Sequence, residues 1–178
     1  MDENNTKHAN KKRSELRRTD RAVTDEGWIK AFVQNGRYGV LATAHNQQPY
    51  ATPVNYVYIE KDQAIYFHGA RFGRTRANIG LTPTVCFNIA EMGDVVPGEK
   101  MINFGVNYSS VTIFGTAELI TNEEKILSVL VELVRKYFPD KQPGDDYPLP
   151  SPDELKRTAL YAIHIEDWTA KKKSHKNK

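Results

Sequence analysis

The sequence predicts an antiparallel β-barrel with helices only at its periphery. Three observations carry this. Short runs rich in β-branched and aromatic residues recur between turn residues. The first three runs follow one another too closely for βαβ crossovers, which excludes a doubly wound parallel sheet. Clear helical periodicity is confined to two stretches, one before the first run and one after the fifth. A chain of 178 residues with 39% hydrophobic residues suffices for one domain with its own core.

In chain order, Thr24-Asp25-Glu26 reads as a capped helix start, with Trp28, Ile29, Phe32 and Val33 on one stripe and Gly36 as the stop. Residues 37–44 form the first strand, 50–59 the second and 64–68 the third, separated by the polar turns at 45–49 and 60–63. Residues 69–81 include a short helix, and Pro83 introduces a fourth strand over 84–90. Two Gly-containing breaks and Pro97 make 91–107 a long excursion before the fifth strand, 108–120, in which Gly115 marks a bulge or bend. Thr121-Asn122-Glu123-Glu124 matches a capping box. Ile126, Leu127, Leu130, Val131, Val134, Tyr137 and Phe138 make the apolar face of the helix that follows. The proline-rich stretch 139–152 reads as a linker, and 160–167 as the sixth and last strand.

Composition excludes several function classes. No apolar stretch approaches the ~20 residues of a membrane span, and the polar N-terminus is not a secretory leader. The single cysteine, Cys86, cannot form an internal disulfide, which places the chain in a reducing, cytoplasmic setting. The net charge of +3 belongs to the ends: residues 1–21 hold seven Lys/Arg against four acids, and 171–178 hold five Lys, so the body between them is about −5. A nucleic-acid binder spreads its basic residues over a folded face, and this chain does not. The tails read as solvated polar ends. The five histidines show no metal-ligand spacing, so no metal is expected, and Cys86 within Val85-Cys86-Phe87 reads as core rather than nucleophile. There is no GxSxG elbow, Walker loop or GxGxxG fingerprint.

The segment richest in chemistry is Phe67-His-Gly-Ala-Arg-Phe-Gly-Arg-Thr-Arg76, which leaves a strand and opens a helix. Its glycines allow close backbone approach, and Arg71, Arg74 and Arg76 crowd one helix N-terminus. Three guanidiniums against the positive end of a helix dipole repel one another unless an anion sits between them, which favours a phosphate over a solvated arginine cluster. A second candidate is Thr52-Pro53-Val54-Asn55-Tyr56. Pro53 inside a strand implies an edge or a bulge, which either frees backbone groups for a flat heterocycle or is simply an edge proline. Tyr108, Ser109 and Ser110 could add hydroxyls.

RRTDRAVTD (17–25), PYATPVNYVY (49–58), IYFHGARFGR (65–74), PTVCFNI (83–89), NFGVNYSSVTIFGTAEL (103–119) and WTAK (168–171) occur in that order. Together they resemble the flavin-binding split-barrel proteins related to pyridoxamine 5′-phosphate oxidase, and within them the 5-nitroimidazole-resistance (Nim) branch. The resemblance implies a six-stranded antiparallel split β-barrel over residues 17–171, flanked by tails 1–16 and 172–178. It also implies a homodimer with FMN in a groove at the subunit interface. The FMN phosphate would sit at Arg71, Gly73, Arg74 and Thr75, while Thr52 to Asn55 border the isoalloxazine. His68, Gly69 and Ala70 match the family's FHxA stretch, whose histidine lies beside the flavin, and Tyr108 to Ser110 match the strand that closes the site. Thr75 stands where the branch carries lysine, with Arg76 next to it, and Ala170 stands where it carries glycine. The arginine–lysine pattern of vitamin B6 oxidases is absent from residues 53–58. The implied activity is FMN-dependent reduction of a small electrophile such as a nitroaromatic, with His68 as proton donor or orienting group. The alternative is a flavin, deazaflavin or haem binding or redox-sensing module without catalysis of its own.

Overall fold

The computed structural model describes residues 11–174. Its elements are β1 (Ala22–Val23), α1 (Glu26–Asn35), β2 (Gly39–His45), β3 (Gln48–Val54), β4 (Val57–Ile59), β5 (Ala64–Gly69), α2 (Arg74–Leu81), β6 (Thr84–Val96), β7 (Gly105–Ile120), α3 (Glu123–Tyr137), α4 (Pro152–Arg157) and β8 (Ala159–Lys173). Asp25 caps α1 by accepting from the Trp28 N–H at 3.1 Å, and Gly36 ends the helix. Ile29 and Val33 are buried, while Trp28 and Phe32 stack against each other at the core's margin.

All eight strands join one antiparallel sheet, in the order β3-β2-β6-β7-β8-β5-β4 with β1 paired to β8. β3 and β4 lie at opposite ends of that order, yet only Asn55 and Tyr56 connect them. Two residues span at most ~11 Å between Val54 and Val57, so the sheet must roll until its two edges face each other. They do not pair, and the barrel is split along that seam.

Alternation on β5 and β8 explains why both read as continuous apolar runs. Ile65, Phe67, Tyr161 and Ile163 point into the barrel with Leu41, Phe87 and Ile113. Ala64, Tyr66, Leu160 and Ala162 point outward beneath α3 and are covered by Ile126, Val129 and Leu133. Each fully buried Ile, Leu or Phe among them contributes ~1.5–3 kcal/mol. The covered stripe on α3 is rotated from the expected one: Val129 and Leu133 are buried, and Phe138 is exposed.

Several boundaries differ from expectation. The sheet has eight strands rather than six. The expected strand 50–59 is two strands, because the chain crosses the seam at Asn55-Tyr56. Most of 91–107 continues the β6–β7 hairpin past a register shift between Met92 and Val95, and Gly93 lets the strands approach closely at Asn107. Asn122, not Thr121, caps α3 by accepting from the Lys125 N–H at 2.7 Å. The expected linker ends in α4, whose Ser151–Glu154 capping box follows the sequence rule for a helix start. The bulge at Gly115 is present between Phe114 and Gly115. A side chain there would collide with the His164 carbonyl. Pro53 lies on an edge strand.

The expected tails, 1–16 and 172–178, fall partly on residues 1–10 and 175–178, outside the described residues. Within the described part, Lys12 and Arg13 pair with Asp167 and Glu166, and β8 runs on through Lys173. Among the described residues no helix is long and apolar enough to cross a membrane.

Candidate functional site

β4 stops opposite Tyr66, whereas β5 continues to Gly69. Phe67, His68 and Gly69 therefore have β8 on one side and no strand on the other. Across this gap stands the free edge strand β3, presenting Tyr50, Thr52 and Val54 from one face by the two-residue period. The result is a cleft of about 250 Å3 in the open part of the seam.

One end of the cleft is formed by the turn Ala70–Gly73 and the start of α2. Gly73 is the N-cap at φ +120°, a backbone conformation that L side chains rarely adopt, and a Cβ there would meet nothing. The turn is tied down from behind: the Tyr161 hydroxyl donates to the Ala70 carbonyl at 2.8 Å, and its ring stacks on Phe67 at 5.0 Å. No side chain caps α2, and its first turn holds no acid. Among the described residues its leading N–H groups have no partner, and they lie at the positive end of the helix dipole where Gly73, Arg74 and Thr75 line the cleft.

Arg74 lies over the Tyr50 ring at 5.7 Å and donates to Gln48 Oε1 at 3.3 Å. Among the described residues, no carboxylate lies within 4.0 Å of Arg71, Arg74 or Arg76. The Thr52 and Thr75 hydroxyls meet across the cleft at 3.4 Å. Guanidiniums without carboxylate partners, uncapped N–H groups and an apolar wall of Val54 and Phe67 together suit a ligand with an anionic end and a flat apolar body.

Of the residues singled out from sequence, Thr52, Val54, His68, Gly69, Ala70, Gly73, Arg74 and Thr75 line this cleft. Pro53 and Asn55 face a different hollow with Arg37, Tyr38 and Tyr137. Arg71 turns to the far side of the 70–73 turn. Tyr108, Ser109 and Ser110 lie on β7 between β6 and β8, where the Tyr108 hydroxyl receives a bond from Arg21 at 3.3 Å, so one chain does not bring them to the cleft. Cys86 is half-buried, and burial pushes its thiol up, away from the reactive thiolate. Arg76, singled out beside them, also lines the cleft, which further contains Tyr50, Phe67, Phe72 and Tyr161. Tyr50 could have been found by its two-residue spacing from Thr52. Tyr161 could not, because it arrives from a strand about ninety positions away.

Among solved structures, the chain is similar to the flavocytochrome Anf3 from Azotobacter vinelandii, with 22% identity over 93% of this chain and 75% of that one and a TM-score of 0.81. It is also similar to an FAD and heme binding protein from Mycobacterium smegmatis, with 17% identity over 87% and 74% of the two chains and a TM-score of 0.78. A candidate 5-nitroimidazole antibiotic resistance protein from Bacteroides thetaiotaomicron shares 16% identity over 84% and 85%, with a TM-score of 0.71. At such identities the likeness is one of fold. No curated protein matches the chain. The sequence signature of pyridoxamine 5′-phosphate oxidase, by contrast, matches residues 25–172, from the cap of α1 nearly to the end of β8. The split barrel and its seam cleft thus lie within that match, and the chain belongs to the flavin-binding pyridoxamine 5′-phosphate oxidase family.

Proposed function

We propose that the protein is an FMN-dependent oxidoreductase that reduces a small electrophile, with nitroaromatics as the substrate class. The observation that carries this reading is the anion cradle at the start of α2: an uncapped, acid-free first turn entered through Gly73 and flanked by arginines without carboxylate partners. The fit to FMN is twofold. The cradle matches its phosphate, and the slot between Thr52, Val54 and Phe67 matches a flat ring. Bound flavin would supply the electron transfer.

The chain's own residues do the rest. Arg74 and the leading N–H groups of α2 hold the phosphate, and the free edge of β3 offers backbone groups to the ring's polar rim. Exposed at the end of β5, His68 offers a ring nitrogen for proton delivery to a substrate seated on the cleft's open side. A cleft of about 250 Å3 is smaller than the ~300–1,000 Å3 usual for small-molecule sites. A second copy of the chain completes it, making a homodimer in which Tyr108–Ser110 of the other subunit close the flavin. Supporting the substrate class is the fold shared with the 5-nitroimidazole resistance candidate. The absence of the vitamin B6 arginine–lysine pattern in 53–58 argues against pyridoxamine phosphate as substrate.

The test is the visible spectrum of the purified protein, mass spectrometry of the released chromophore, and reduction of a nitroimidazole by the loaded protein. Expected are a flavin spectrum and turnover that falls at least ~100-fold in His68→Gln with flavin affinity unchanged, the usual range for general acid–base groups. A colourless protein that takes up no added flavin contradicts the proposal. Turnover unchanged in His68→Gln removes the histidine's role.

A further inference from the structure

A second cavity of about 360 Å3 lies on the far side of the Ala70–Gly73 turn, against β7, α3 and α4. Phe72 and Arg76 line both this cavity and the seam cleft, so the two share a wall at the phosphate end of the cleft. The cavity's floor is apolar, made by Ile126 and Leu155, both buried, and by Ile120. Its rim carries Arg71, Arg76 and Lys156 against a single carboxylate, Glu123. Neither arginine has a carboxylate within 4.0 Å among the described residues, and Lys156 reaches only Asp153, at 3.8 Å.

An inorganic anion would need no apolar floor, and a purely apolar ligand would leave Arg71 and Arg76 without a counter-charge. A phosphate attached to a flat heterocycle satisfies both, because guanidinium forks match phosphate oxygens and a ring buries apolar area. We propose that this cavity is a nucleotide subsite, taking the phosphate on Arg71, Arg76 and Lys156 and the base against Ile126 and Leu155. Its position beside the cleft's phosphate end rests on the flavin reading above; its chemistry does not. Two sources could supply the nucleotide: the adenylate half of a dinucleotide flavin continuing out of the cleft, or the nucleotide part of a separate hydride donor.

The test uses the full-length protein with ADP as probe, by isothermal titration calorimetry, in wild type, Lys156→Glu and Lys156→Arg, with FMN and FAD titrated in parallel. Lys156 is exposed and outside the seam cleft, so both variants are expected to fold and to bind FMN as wild type does. Expected are ADP binding at least tenfold tighter than adenosine, a loss of at least tenfold in Lys156→Glu, and retention in Lys156→Arg. If FAD outbinds FMN tenfold in wild type and that advantage disappears in Lys156→Glu, the adenylate belongs to the flavin. If the flavins bind alike and Lys156→Glu instead raises the KM for NADPH, the nucleotide belongs to the donor. ADP binding that Lys156→Glu abolishes sustains the subsite even if no flavin binds, an outcome that would sink only the flavin reading. FMN binding without ADP binding, or ADP binding indifferent to Lys156→Glu, overturns the subsite and leaves the flavin reading intact.

Discussion

The seam of the barrel has two ends that differ in how they treat polar groups. At the closed end, where Asn55-Tyr56 crosses from β3 to β4, the Tyr56 and Tyr137 hydroxyls and the backbone of Tyr56 find partners within the chain. The Tyr56 hydroxyl donates to the Val33 carbonyl at 2.6 Å, and its ring meets Phe87 edge-on at 5.2 Å. The Tyr137 hydroxyl accepts from the Tyr56 N–H at 3.0 Å and donates to the Arg37 carbonyl at 2.8 Å. At the open end, among the described residues, the same seam leaves helix N–H groups uncapped and Arg74 without a carboxylate partner. Burial and internal pairing mark the first as structure; arginines without carboxylate partners around an accessible cleft are what the proposed function rests on at the second.

The largest expected effect tests the closed end. Tyr56→Ala removes a fully buried ring and its hydrogen bond, and should cost about 3–5 kcal/mol in urea unfolding. A cost below 1 kcal/mol would mean that the crossing does not depend on this clasp. Tyr137→Phe sharpens the contrast by removing only an oxygen. The Tyr56 N–H and the Arg37 carbonyl lose their partner, at about 1–2 kcal/mol, with flavin affinity unchanged.

The smallest effect concerns Lys136, a cation at the closed end that is unsatisfied among the described residues. Its Nζ has no hydrogen-bond partner, lies 3.8 Å from the Tyr56 ring centre, and is pushed down by burial to about 8. A lysine whose pKa is lowered on folding binds its proton less readily folded than unfolded. Its cost is therefore full below pH 8 and shrinks as pH rises towards 10.5. Lys136→Met should gain about 1 kcal/mol at pH 7 after allowance for partial exposure, and the gain should fade by pH 10. A gain independent of pH would mean that the lysine's charge is not what costs stability.

Much of this was legible because local chemistry decides it. Asp25 and Gly36 bound α1 as caps do, Gly115 marks the bulge, and Pro53 marks the edge. The signal at Ser151-Pro152-Asp153-Glu154 was also present, hidden by the prolines around it. What sequence could not supply was long-range. Gly93 and Pro97 punctuate 91–107 as a loop would, yet pairing with β7 carries the strand through to Val96. The rotation of the α3 stripe depends on where β5 and β8 present Tyr66 and Leu160. For the site, the cluster 68–76 was visible, but its division between two cavities was not, because Tyr161 and the wall from β7 and α4 come from distant positions.

The central claim is that the open end of the seam holds a phosphorylated flavin through Arg74 and the start of α2. Fluorescence titration of the protein with FMN, wild type against Arg74→Ala, tests it most directly when paired with urea unfolding of both. The account predicts a ~10–100-fold weaker FMN affinity, about 1.4–2.7 kcal/mol, with unfolding stability unchanged within ~0.5 kcal/mol. Equal FMN affinity in the two proteins, or a stability loss that accounts for the whole difference, would contradict it.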